Sequence, residues 1–283
     1  MPAFSTNSYT SKEAESADQF SGSLGHVLKT ENGKTTVIGQ AWMAQPGTLV
    51  TCGHVVEPFL KQASMLIVKF PASGNEYKID SIKIHPSFVR QQDELINFDA
   101  AVLSLRLKEP ELSAPPLPIK FDVSLRNQQT LLAVRYPAHL GSLSSSSDAL
   151  SQTGHFLGHL RKHDNFHLLH DLALAPGDSG APILNEGGVV AIHCGDTASL
   201  PGLNLPTTSI RLALWIDALR ELGLSETAPV VTAQERRLSP LECGYIVLIA
   251  FLISFSVAML DFVAWRNWRY THTAQVTTSN QHR

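Results

Sequence analysis

Three short stretches of this chain carry residue types that together can hydrolyse an amide. TLVTCGHVV offers an imidazole at His54, NFDAAVLSL a carboxylate at Asp99, and APGDSGAPIL a hydroxyl at Ser179. A serine hydroxyl is a weak nucleophile. It needs a base to take its proton and a carboxylate to orient that base. It also needs N–H donors for the oxyanion that forms on attack at a carbonyl. A sharp turn through Gly177, whose missing Cβ tolerates the backbone angles required, would aim the N–H groups of Gly177 and Ser179 into one oxyanion pocket. His54 is thus the candidate general base, Asp99 its orienter and Ser179 the nucleophile.

Asp93 is the rival carboxylate, in the polar stretch QQDELIN. Asp99 is preferred because it directly precedes AAVLSL, a buried-strand pattern that would hold it rigidly. Each of the three stretches adjoins a strand-like run, and such runs recur from residue 21 to about 225, separated by ENGK, QPGT, PASGNE, KHDN and NEGG. Many short strands between turn signals indicate a β-sandwich or β-barrels. Near residue 210 the period changes. Leu212, Trp215, Ile216, Leu219 and Leu222 recur at three to four residues, which predicts an amphipathic helix ended by Gly223. His155, His159, His163, His167 and His170 tempt a zinc reading, but the flanking runs read as two strands around KHDN. Neighbours four apart in a strand lie roughly 13 Å apart, so no metal and no other cofactor is expected.

These motifs, in the order His, Asp, Ser, resemble those of trypsin-like serine peptidases. TLVTCGHVV is similar to the stretch around that family's histidine, NFDAAVLSL to its Asp-Ile-Ala-Leu segment, and GDSGAP to its Gly-Asp-Ser-Gly-Gly-Pro. GQAWMAQPGTLVT resembles the entry to the first barrel. The resemblance implies an all-β fold of two antiparallel six-stranded β-barrels with a C-terminal α-helix over residues 21–225. His54 and Asp99 would stand on the first barrel and Ser179 on the second, in a serine endopeptidase acting on protein or peptide substrates. It places the substrate pocket at Ala173, as its floor, with Leu174 and His193. The absence of a carboxylate at Ala173 disfavours Lys or Arg as the residue before the cleaved bond. GVVAIHCGD resembles the Gly-Ile-His-Trp-Gly segment of glutamate-cleaving bacterial relatives, whereas Leu174 departs from them, so acidic and small or apolar residues both stay open. Ala181 departs mildly from the serine motif. The Ile-Val-Gly-Gly start that proteolysis frees in secreted relatives is missing, so an activating partner that orders the loop around Asp178 is expected.

The 283 residues carry a formal net charge of −3, which gives no broad basic field for nucleic acid. Cys52, Cys194 and Cys243 form no disulfide framework, and a reducing compartment is the simpler reading. Residues 1–20 read as a solvated tail and 226–240 as a polar linker. Residues 241–265 read as a transmembrane helix. Its apolar run, Gly244–Trp265, would span about 33 Å at 1.5 Å per residue, enough to cross a bilayer core. A short tail, 266–283, follows. The expected picture is a single-pass membrane protein with its peptidase domain in the cytoplasm, in stress response or defence. The alternative is a catalytically silent binding module of the same fold, tethered to a membrane.

Overall fold

The computed structural model describes residues 18–89, 97–106, 114–137, 148–161, 164–196, 210–226 and 259. Two units divide the chain, Met1–Val230 and Val231–Arg283. The first contains all twelve strands described, arranged as two closed six-stranded barrels.

The first barrel is built from β1 (Leu24–Glu31), β2 (Lys34–Gln45), β3 (Thr48–Thr51), β4 (Leu66–Lys69), β5 (Glu76–Ile84) and β6 (Ala101–Leu105). They run in the order β1-β2-β3-β6-β5-β4, every pair antiparallel. Local chemistry sets the hairpins. Asn32 and Gly33 both take positive φ, 51° and 74°, the pair of angles that lets a two-residue turn follow the strand twist. The second barrel holds β7 (Thr130–Arg135), β8 (Leu150–Arg161), β9 (Asp164–His170), β10 (Pro182–Asn185), β11 (Gly188–Asp196) and β12 (Arg211–Trp215). Its order is β10-β11-β12-β9-β8-β7. The histidine-rich segment forms the hairpin β8–β9, as its turn signal predicts.

The expected C-terminal α-helix is not what forms. Residues 211–215 are strand β12, and only Ile216–Leu222 turn helically, as a 3₁₀ helix closed by Gly223 at φ +89°. Burial on both faces explains the misleading spacing. Ala213 and Trp215 enter the core that Leu131, Ala133, Phe156, Ile183 and Val190 also fill. Leu214 packs on the other side, in the large cluster with Val134, Ile192 and Ile216. A strand covered on both faces loses the alternation of a half-buried strand, and its apolar run then matches a helical template by accident.

Asp93 and the run Gly244–Trp265 lie outside the described residues, apart from Met259. Among the described residues no helix is long and apolar enough to cross a membrane.

Candidate active site

Register in the first barrel brings His54 to Asp99. Thr51 ends β3 and pairs with Ala101, which begins β6. The chain leaving β3 therefore runs beside the chain entering β6. A single helical turn, Gly53–Val56, follows at once and presents His54. Asp99 Oδ1 accepts the backbone N–H of His54 at 2.8 Å, and Oδ2 meets His54 Nδ1 at 2.6 Å. One carboxylate thus fixes both the backbone and the ring. With its proton held on Nδ1 by Asp99, a neutral His54 keeps Nε2 as an acceptor, the form a general base needs. Asp99 is buried, while the His54 side chain is partly open. Gly53 permits this approach: a Cβ there would lie 2.8 Å from the Phe88 ring and 3.3 Å from Asp99 Oδ1.

Ser179 sits in the loop between β9 and β10, fastened to both barrels. Gly180 N–H donates to His193 O and His193 N–H to Ala181 O, each at 2.9 Å, so the β10–β11 ladder continues back to the serine. Ser179 O accepts the Gln40 N–H, from β2 of the first barrel, at 2.8 Å. Gly180, at φ +94°, has no room for a side chain, since a Cβ would fall 2.1 Å from Gln40 O. Gly177 takes φ +104°. His54, Gly177 and Ser179 line one cavity of about 430 Å³.

Asp178 anchors the same loop from behind. It is fully buried. Its carboxylate accepts Gln40 Nε2 at 2.9 Å and the Ala175 N–H at 2.8 Å, and Arg135 Nη1 stands 3.1 Å away. Burial pushes this carboxyl up, against the opposing pull of Arg135, Ala175 and Gln40. Sequence reading found neither Arg135 nor Gln40. They lie 43 and 138 residues from Asp178, and no local pattern marks a partner at such distances.

A family model for the trypsin-like peptidase domain matches residues 35–192, more than half of the chain and all three candidate residues. The chain belongs to that family. No curated protein matches it. Solved structures of the same architecture do. An inactivated protease paralogue of the scabies mite is 13% identical with a TM-score of 0.54, covering 72% of this chain and 92% of its own. A mutant of human heparin-binding protein is 12% identical with a TM-score of 0.55, covering 73% and 91%. At such identities the likeness concerns the fold.

The peptidase domain's expected substrate residues are only partly brought together. Leu174 and His193 line the cavity beside Gly177 and Ser179, whereas Ala173 is exposed and not among the lining residues. Arg211, from β12, lines the cavity instead, its Nε donating to Leu174 O at 3.1 Å. His170 stands behind His193. Its Nδ1 accepts the Leu172 N–H at 3.2 Å, so a neutral His170 carries its proton on Nε2 and donates to His193 Nδ1 at 3.4 Å. That relay leaves the His193 proton on Nε2. Burial holds His170 near a pKa of about 3 and His193 well below its ordinary value, which keeps both neutral. The sequence places Arg211 in a helical pattern and His170 in a histidine run, and neither pattern points to the cavity; register alone sets the two opposite each other. Among the described residues the histidine run does not gather: His155 pairs with Asp171, and His170 with His193.

Proposed function

We propose that this peptidase domain is a serine endopeptidase. Ser179 Oγ attacks the scissile carbonyl while His54 Nε2 takes its proton, and Asp99 stabilises the imidazolium. The N–H groups of Gly177 and Ser179 receive the oxyanion. As the C–N bond breaks, His54 returns the proton to the leaving amine, and water releases the acyl group by the same steps. The observation that best supports this is the double clasp of Asp99 on His54, opening on the cavity that Ser179 also lines. The second reading is a catalytically silent binding module of the same fold; the name of the mite paralogue describes an inactivated protease. Retention of His54, Asp99 and Ser179 together weighs against it.

The residue before the cleaved bond is acidic in this reading. Arg211, Lys29 and His193 line the cavity, and no carboxylate is among the described residues lining it. A peptide library digested by the full-length protein is expected to be cut after Glu or Asp. Arg211→Gln then lowers kcat/KM for a glutamate substrate roughly 10- to 100-fold, the worth of a charge-assisted hydrogen bond. Cleavage mainly after Lys, Arg or small residues contradicts the specificity, and no cleavage at all favours the binding module.

Residues 244–265 anchor the protein to a membrane, with the peptidase domain in the cytoplasm. The support is the length of that run and its apolarity on every face, broken only by Asp261 about one turn from its end. The full chain is expected in an alkali-resistant membrane fraction, and a chain lacking residues 241–283 in the soluble one. External protease should leave the 21–225 domain untouched in intact cells. A full chain that stays soluble without detergent refutes the anchor, and digestion from outside refutes the orientation.

A further inference from the structure

Two thiols meet between the barrels, and the proposed hydrolysis uses neither. Cys52 follows β3 and precedes the turn that carries His54, while Cys194 lies in β11 beside His193. Both are free, and both are buried. Cys52 Sγ donates to the His193 carbonyl at 3.1 Å, one peptide unit from Cys194 itself. Cys194 Sγ reaches the carbonyls of Ile192 at 3.4 Å and of Asp99 at 3.7 Å. The two sulfurs and a carboxylate oxygen of Asp99 all lie within 4.8 Å of one another. A disulfide spans about 2.05 Å. Closing it requires the sulfurs to leave weak hydrogen bonds to carbonyls and turn toward each other, beside the Asp99 carboxylate.

We propose that Cys52 and Cys194 are a disulfide site that ties the two barrels together directly behind His54 and Asp99. The oxidant is a small-molecule disulfide such as oxidised glutathione. One cysteine thiolate attacks it, releasing one glutathione thiol and forming a mixed disulfide. The second cysteine then attacks the protein sulfur of that bond and releases the second thiol. Two S–H bonds are lost, one protein S–S bond forms, and the oxidant is reduced by two electrons. Burial pushes both thiols up, so the folded protein holds little thiolate and reacts slowly. The bond is therefore made while the chain folds in an oxidising medium, and the dithiol persists where folding takes place under reducing conditions. The sequence alone points to no such pair, because the three cysteines are an odd number without a spacing motif.

The experiment refolds the full chain with oxidised and reduced glutathione, then denatures it, alkylates free thiols and maps peptides by mass. The expected product has Cys52 linked to Cys194 and Cys243 alkylated. Its melting temperature exceeds that of the dithiol form by about 5 °C, since the bond closes a long loop. Dithiothreitol removes that difference, and it is absent in Cys52→Ala and in Cys194→Ala. Should those variants fail to fold, the peptide map of the wild type decides alone. Alkylation of both Cys52 and Cys194 after oxidative refolding overturns the proposal. So does linkage of either to Cys243, or protection of both thiols that a chelator rather than a reductant reverses, which would make the pair a metal site.

Discussion

Asparagine in place of Asp99 is expected to lower kcat for peptide hydrolysis about 10⁴-fold without unfolding the domain. The amide oxygen can still accept the His54 backbone N–H that Oδ1 now accepts at 2.8 Å. The amide nitrogen then faces His54 Nδ1 at the position of Oδ2. Because it donates, it forces Nδ1 to accept and moves the ring proton to Nε2. The nitrogen that should take the Ser179 proton is then blocked. The shape of the site survives and its chemistry does not, so KM should change far less than kcat. Unaltered melting with a fall of four orders of magnitude in kcat supports this role for Asp99. Near wild-type kcat would place the orienting carboxylate elsewhere.

Arg135→Met is expected to damage both stability and activity. The substitution keeps most of the side-chain volume and removes the cation that faces the fully buried Asp178. Breaking a buried ion pair by removing one partner costs about 3–5 kcal/mol, or on the order of 10 °C in melting temperature for a domain of this size. Gln40 and the Ala175 N–H remain, but both are neutral donors. The affected loop carries Gly177 and Ser179, so kcat falls with stability, and Arg135→Lys should recover part of both. This arrangement gives Asp178 its cation from within the peptidase domain. Purified full-length protein is therefore expected to cleave peptides at full rate without the partner that the sequence points to for ordering that loop. A large stimulation by a cell extract, or an Arg135→Met protein as stable and active as wild type, contradicts this account.

What could be read from the sequence was local, and what could not was mostly long-range. His54, Asp99 and Ser179 each sit in a short motif beside a strand, and the turn at Asn32–Gly33 announces its hairpin. The same alternation of runs and turns indicates a sandwich or barrels, and the family resemblance implies the two barrels that form. Residues 211–215 match a helical template because β12 buries both faces, which erases the period of two, whereas Ile216–Leu222 do turn helically and stop at Gly223. The family resemblance puts Ala173 at the pocket floor, yet the chain turns its neighbour Leu174 inward and leaves Ala173 exposed. Arg135, Gln40, Arg211 and His170 act through contacts that only barrel closure creates. Their types are common and their spacing is uninformative until register puts Arg211 opposite His170 and Gln40 beside Asp178. The cysteines show the same limit. Their number suggests thiols, and only the fold puts Cys52 against Cys194.

The most direct measurement of the central claim is covalent labelling with a fluorophosphonate, followed by peptide mapping. The reagent phosphonylates a serine oxygen only where a neighbouring base activates it and an oxyanion site receives the product. The account predicts one adduct per molecule, on Ser179, lost in Ser179→Ala and slowed by several orders of magnitude in His54→Ala. A correctly folded full-length protein that takes no label, or takes it on another residue, contradicts it.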